Sequence, residues 1–434
     1  MDESTYVPYG MVRLLVERDC LDTLRAEADR GDWRCGAALI DELVRRGEAE
    51  AALAVCRTFV RPDRWNGAAD KTAAVLEASY GLEEAVAFVR PYAAAGERSA
   101  VHRLAALLGR LGQVDEVFAL LRPRLDDWWM ASNLVEATEG QGRDEDVIAE
   151  LETLVAAVER HPDRWQAKPW NAAESLATVL DRQGRSDEAI ALLRRVRRTS
   201  VNQIEHLADL LHKAGRESEL RDLVAGEGRE HAAYRLANLL EEQNRLAEAV
   251  DTLRAFTDAG NINAASALAE LLRRHGRGEE AVEVLHTAVR AEGAAHGCTR
   301  HHLWTLLVEA ERPEDALGHL DELEREFGPE ELFRDRLWLL AECGRSEEAL
   351  ARVRAHPQAG EDGFLQLAAQ TLDDLGRTDE AIALLRPRAT SHFVGNDLAE
   401  MLLRRGEVDE AMAVVHALEP LKLWPDSGAG VSPD

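Results

Sequence analysis

Lysine is nearly missing from this chain: Lys71, Lys168, Lys213 and Lys422 stand against 48 arginines. With so much alanine, this reads as the codon bias of a GC-rich genome and carries no mechanism. Long apolar runs are missing too. The longest stretch free of Asp, Glu, Lys and Arg is Ala259–Ala269, 11 residues, whereas a membrane span needs roughly 20. Positive charge is in deficit, with a net charge of −28. Nucleic-acid binding neutralises phosphates, so this balance excludes DNA or RNA as the main ligand. Anionic lipid is excluded for the same reason, while a basic partner is permitted. The five cysteines, Cys20, Cys35, Cys56, Cys298 and Cys343, are odd in number and lack CxxC spacing; they predict buried free thiols in a reducing cytosol. Met1-Asp2-Glu3-Ser4 is acidic and no apolar run follows it, unlike a secretory signal. The expected localisation is cytoplasmic.

Signatures of catalysis are absent as well. There is no GxxxxGK[ST], no GxGxxG after a strand, no GxSxG, no HExxH and no kinase signature. No catalytic residue, cofactor or metal ligand is assigned. His296, Cys298, His301 and His302 are the one local cluster of ligand types. Their spacing matches no standard zinc pattern, and neighbouring His301 and His302 diverge by a helical step.

What the chain does have is a phrase that returns about every thirty residues. Clear copies are Leu176-Ala177…Gly184-Arg185-Ser186-Asp187-Glu188-Ala189, Leu268-Ala269…Gly276-Arg277-Gly278-Glu279-Glu280-Ala281 and Gly376-Arg377-Thr378-Asp379-Glu380-Ala381. Its anchor falls at Asp19, Gly47, Tyr80-Gly81, Gly112, Gly142, Gly184, Gly215, Asn244, Gly276, Glu311, Gly344, Gly376 and Gly406. Most intervals are 28 to 35 residues; one, Gly142 to Gly184, is 42. Such a period makes a stack of small units. Apolar residues recur at helical spacing on both sides of the anchor, as in Leu176, Ala177 and Leu180, then Ala189, Leu192, Leu193 and Val196. Each unit therefore reads as two helices. The anchor takes positive φ, Ser186, Ser346 and Thr378 serve as N-caps, and the acidic pair sits in the next first turn. Pro123, Pro387 and Pro420 mark the ends of second helices.

The pattern resembles the tetratricopeptide repeat, whose unit is about 34 residues, helix–turn–helix. The family's small residues correspond to Ala177, Ala208, Ala237, Ala269 and Ala399 in first helices and Ala189, Ala281, Ala349, Ala381 and Ala411 in second helices. The resemblance spans about residues 10 to 418. Most units are shorter than the standard, and the usual proline between units is mostly missing. The expected fold is an all-α, right-handed α-solenoid of about thirteen tetratricopeptide-like helical hairpins. Its expected parts are residues 1–157, residues 158–420 and a cap and tail over 421–434. A seam is expected near 158–170, where Pro162-Asp163-Arg164-Trp165 echoes Pro62-Asp63-Arg64-Trp65.

The resemblance implies a scaffold that binds a partner protein or peptide in a concave groove. By that resemblance the groove positions are the second, fifth, ninth and twelfth of each unit, counting the anchor as fifteen. The ninth positions are Asp41, Glu136, Thr178, Asp209, Asn238, Glu270 and Glu400, a mostly acidic ladder suited to a basic partner. The same carboxylates could instead neutralise their own helices through the i,i+4 pairs Asp41–Arg45, Asp209–Lys213, Glu270–Arg274 and Glu400–Arg404. Trp129, Tyr234, Trp338 and Phe393 are the expected aromatic anchors, and His301 is a further groove residue. Trp33, Trp128 and Trp170 begin first helices and are expected to pack on the preceding unit. The family's carboxylate clamp is absent: Asn238 and Arg235 are followed by Glu270 and Ala267 in the next unit. Two other readings stay open, a regulatory sensor for a small peptide or ligand and a non-catalytic subunit of an enzyme complex. The oligomeric state is not legible.

Overall fold

The computed structural model describes residues 6–160, 170–195, 201–226, 229–292 and 297–418. Among these residues the secondary structure is helical, with no strand. The helices form thirteen hairpins. The first three are α1 (Tyr9–Glu17) with α2 (Leu21–Asp29), α3 (Trp33–Arg45) with α4 (Ala49–Phe59), and α5 (Gly67–Tyr80) with α6 (Leu82–Ala94). Then come α7 (Arg98–Arg110) with α8 (Val114–Leu121), α9 (Trp128–Ala137) with α10 (Asp144–Arg160), and α11 (Trp170–Arg182) with α12 (Ser186–Arg195). They are followed by α13 (Val201–Lys213) with α14 (Glu217–Ala225), α15 (Arg229–Glu242) with α16 (Leu246–Asp258), and α17 (Ile262–Arg274) with α18 (Gly278–Glu292). The last four are α19 (Gly297–Glu309) with α20 (Pro313–Phe327), α21 (Phe333–Glu342) with α22 (Ser346–Ala355), α23 (Asp362–Asp374) with α24 (Thr378–Leu385), and α25 (His392–Arg405) with α26 (Val408–His416). No helix is long and apolar enough to cross a membrane, among the described residues.

Each hairpin turns at its anchor. All thirteen have positive φ, and three of them, Asp19, Asn244 and Glu311, do so without being glycine. At the Gly184 turn, the Arg185 N–H donates 2.8 Å back to Leu180 C=O and the Gly184 N–H donates 2.9 Å to Asp181 C=O. The first of these bonds recurs at Arg216–Leu211, Arg245–Leu240, Arg277–Leu272, Arg345–Leu340 and Arg377–Leu372. A left-handed residue closes the helix by turning the chain's next N–H onto a free carbonyl. The expected hydroxyl caps are a correction. Ser186, Ser346 and Thr378 are the first helical residues, not the residues before them. Ser186 Oγ donates 2.6 Å to Asp181 Oδ1 and Thr378 Oγ1 donates 2.7 Å to Asp373 Oδ1, tying the second helix back to the first.

The arginine after the anchor explains the rest of the phrase. It pairs with the second acid of its own unit: Arg185 with Glu188 (2.7 Å), Arg277 with Glu280 (2.6 Å), Arg345 with Glu348 (2.6 Å) and Arg377 with Glu380 (2.6 Å). Several also reach an acid of the preceding unit, as Arg143 does to Asp115, Arg216 to Asp187, Arg245 to Glu217 and Arg377 to Glu347. One exposed pair contributes little, but several in succession within one unit restrain neighbouring hairpins against each other. Between the helices, Ala177, Ala208, Ala269, Ala189, Ala281 and Ala381 are wholly buried. A methyl is the largest group that lets two backbones approach this closely.

The chain divides into two compact units. One comprises residues 1–61, 66–75 and 334–434; the other comprises 62–65 and 76–333. The expected boundary at 157/158 falls inside the second unit, where α10 and α11 pack on each other. Residues 161–169, within the expected seam, and 419–434, with Pro420 and the expected cap and tail, lie outside the described residues. In the first unit, α1 packs on α25, so the first and last hairpins of the chain are neighbours. Glu27 accepts from His416 at 3.1 Å, and Arg18 donates to the Arg404 carbonyl. A β-carbon at Gly10 would fall on the Glu400 carboxylate.

Two further expectations need correcting. Of the cysteines only Cys35 and Cys56 are buried, while Cys298 is exposed; burial pushes the Cys35 thiol far up. Where a contact with the preceding unit is expected for Trp33, its ring packs edge-on against Phe59 of its own hairpin at 5.2 Å, and Gly36 leaves room for the Phe59 ring. The side chains of Trp128 and Trp170 lie outside what is described.

Candidate functional site

The expected groove residues fall in both units. Asp41, Trp338, Phe393 and Glu400 belong to the first, and Trp129, Glu136, Thr178, Asp209, Tyr234, Asn238, Glu270 and His301 to the second. Most of the acidic ladder is already neutralised, though seldom as the i,i+4 arrangement predicts. Asp41 takes Lys71 (2.6 Å) and Arg45 takes Glu42. Asp209 takes Arg235, and Lys213 reaches back to Asp181 (2.6 Å). Arg404 pairs with Asp373 (2.6 Å) instead of Glu400. Only Glu270 touches its i+4 partner, Arg274, and at 3.7 Å; Glu270 bonds Arg273 more closely at 2.8 Å, while Arg274 bonds Glu241 at 2.7 Å. Lys213, Arg274 and Arg404, each two residues before an anchor, lean onto the preceding hairpin because the packed first helices bring its acids within reach. Glu400 faces α1 at Gly10, where burial, and then Asp397, raise its pKa.

Glu136 differs from its counterparts. It is exposed, has no ion pair among the described residues, and borders two cavities on the surface of consecutive first helices. The first, 230 Å³, lies between α7 and α9 and is lined by His102, Gly109, Asn133 and Glu136, with Gln141 at its end. Gly109 lets α7 and α9 come close beside it, since a β-carbon there would strike the Ala137 carbonyl of α9. The second, 260 Å³, is lined by Ser132, Glu136, Glu174, Ser175 and Thr178, with His206 of α13. Ser132 and Ser175 hydroxyls stand 3.5 Å apart across it. Burial lowers the pKa of His206, favouring the neutral ring.

Trp129 stands beside the first cavity, stacked on His102 with ring centroids 4.9 Å apart and covered by the Arg98 guanidinium at 4.7 Å. It is thereby a fixed wall held by cation–π contact. Tyr234 is half-buried and reaches Asn261 Oδ1 at 3.4 Å. Asn238 is half-buried, Trp338 is half-exposed in α21, and Phe393 is exposed at the start of α25. His301 and Cys298 are exposed on α19, and His296 lies outside the described residues. A larger cavity, 560 Å³, lies among α10, α11 and α12 and holds none of the expected residues.

Ser132, Asn133, Ser175, His102 and His206 were not picked out from the sequence. Ser132 and Ser175 are 43 residues apart, across the 42-residue interval that breaks the period. A count back from each anchor would have aligned Asn133 with Ser175, but residue type gives no reason to choose them.

Two family models described as "Tetratricopeptide repeat" match the chain, one over residues 170–195 and 395–417 and the other over 231–259. No curated protein matches. Among solved structures, the chain is similar to one described as Naa15/Naa10 bound to HypK-THB, with 13% identity, covering 87% of this chain and 67% of that one, at a TM-score of 0.38. Maize pentatricopeptide repeat protein PPR10 shares 16% identity over 96% of this chain and 76% of its own, at 0.34. Yeast Tom70 shares 14% over 80% and 90%, at 0.29.

Proposed function

The chain carries tetratricopeptide repeats, and from that premise we propose that it is a non-catalytic scaffold holding an extended, basic segment of a partner protein across α7, α9, α11 and α13. The observation that carries this reading is Glu136, an exposed carboxylate without a cation of its own among the described residues, shared by two adjoining cavities. A lysine or arginine of the partner supplies the missing cation. Thr178, exposed, and Ser132, half-buried, offer donors and acceptors to its backbone. Trp129, already immobilised by His102 and Arg98, gives a flat apolar wall at little ordering cost. The neutralised carboxylate Asp209 on α13 sets register more than affinity.

Selection from a random peptide library displayed on phage tests the reading. The wild-type chain should enrich extended sequences with Lys or Arg, and Glu136→Arg should weaken them at least about tenfold, the loss of one charge-assisted contact. Trp129→Ala should weaken the same peptides without changing their charge preference. Enrichment of acidic peptides, or of basic ones that Glu136→Arg binds equally well, would overturn it.

A further inference from the structure

Along the second helices of the chain, consecutive hairpins are joined by a recurring bridge. After four of the anchors the residue ten on is an arginine that pairs with an acid on the next second helix: Arg122 with Glu150 (2.6 Å), Arg194 with Glu219, Arg254 with Glu280 (3.8 Å) and Arg386 with Glu410 (2.6 Å). Ten past Gly276 the residue is His286. Facing it from α20 are His319 and Glu322, one turn apart on the same helix face. The ligand atoms of these three side chains all lie within 4.8 Å of one another, and His286 Nε2 is 3.6 Å from Glu322 Oε2. The two imidazoles meet at 4.5 Å between centroids.

Two nitrogens in this cluster are shut away from solvent without a hydrogen-bond partner, His286 Nε2 and His319 Nδ1. His286 as a whole is 8% exposed. Buried polar atoms are almost always paired, so two orphans facing each other and a carboxylate need a cause. The nearest cation cannot supply it: Arg290, one turn along α18, is taken by Glu326 at 3.2 Å.

We propose that His286, His319 and Glu322 form a divalent transition-metal site that takes Zn²⁺ and clips α18 to α20 where the arginine bridge is missing. Two imidazoles and one carboxylate are a borderline donor set that suits zinc and leaves a position for water. Metal bonds of about 2.0–2.1 Å place tetrahedral ligand atoms roughly 3.4 Å apart. The His286–Glu322 pair already stands near that spacing. Glu322 is 50% exposed at its side chain, so it can swing inward and provides the entry path. The site lies on second helices and is independent of the peptide-binding reading.

The test is a Zn²⁺ titration of the full chain after chelator stripping, by calorimetry, with Co²⁺ absorption as a second readout. One equivalent should bind, Co²⁺ should show visible d–d bands, and Zn²⁺ should raise the melting temperature. Glu322→Gln should weaken binding at least tenfold, and His319→Ala should abolish it and the bands. His319 is only partly buried, so its variant should keep the wild-type far-UV circular dichroism. His301→Ala and Cys298→Ser should bind as wild type. No bound equivalent, or binding that survives His319→Ala and disappears in His301→Ala, would overturn the proposal.

Discussion

In the second unit, Asp144, Asp181 and Glu241 each lie under cations from the next hairpin, whereas in the first unit Asp397 and Glu400 of α25 are half-buried with little to balance them. Asp144 accepts from Arg182 and Gln183; burial pushes its pKa up, but these bonds outweigh it and the net shift is down. Asp181, with Lys213 and Ser186, and Glu241, with Arg274 and His275, are lowered likewise. Asp397 is raised by burial, with only Gln366 donating to it at 2.7 Å, and Glu400 is raised by burial and by Asp397. Contacts between hairpins adjacent in sequence come with a matched charge, because one repeating phrase supplies both partners. The contact between α1 and α25 has no such phrase behind it, and it sets the Glu400 carboxylate against Gly10 of α1 instead.

The largest effect should come from removing that contact. Deleting residues 392–434 should speed amide exchange in α1 about 100-fold, since opening free energies track the packing lost, and should leave α15–α18 unchanged. Unchanged exchange in α1 would mean that the two ends of the chain do not support each other. The next effect sharpens the other side of the comparison. Gly184 has φ +75, and a β-carbon added there would meet nothing within 4 Å, so Gly184→Val strikes the local turn alone. It should cost about 1–2 kcal/mol, the penalty of left-handed backbone for a residue with a β-carbon. Glu311, at φ 58, is the reverse case, and Glu311→Gly should raise the melting temperature slightly, the strain relieved exceeding the added chain entropy. A melting temperature unaltered by Gly184→Val would detach the phrase from the turn.

Acid gives the smallest effect and the most direct contrast. A carboxylate whose folded pKa is lowered stabilises above its unfolded pKa, and that stability is lost as pH falls through the folded value. Asp144, Asp181 and Glu241 fall in this class. Where the folded pKa is raised, the contribution is present below the unfolded pKa and is lost as pH rises through the folded value. Asp397 and Glu400 belong here. Between pH 7 and about pH 3, exchange protection, corrected for intrinsic rates, should fall a few-fold in α11–α15 and hold or rise in α25. A uniform fall in both would refute the distinction.

The sequence by itself determined the hairpins. A residue able to take positive φ, a leucine carbonyl four before it to receive the returning N–H, and alanines where backbones touch are short-range requirements written at fixed offsets. The Arg-to-acid pairing was present in the same phrase, yet its route from one hairpin to the next was not, because i,i+4 neighbours on one helix offered equally good partners on paper. Only the tertiary structure decided that Lys213 reaches Asp181 and not Asp209, that Glu400 meets α1, and that His286 meets His319 across 33 residues. These depend on how far each packed hairpin brings its side chains toward the next. A period says that neighbours stack; it does not say which of two nearby charges is closer.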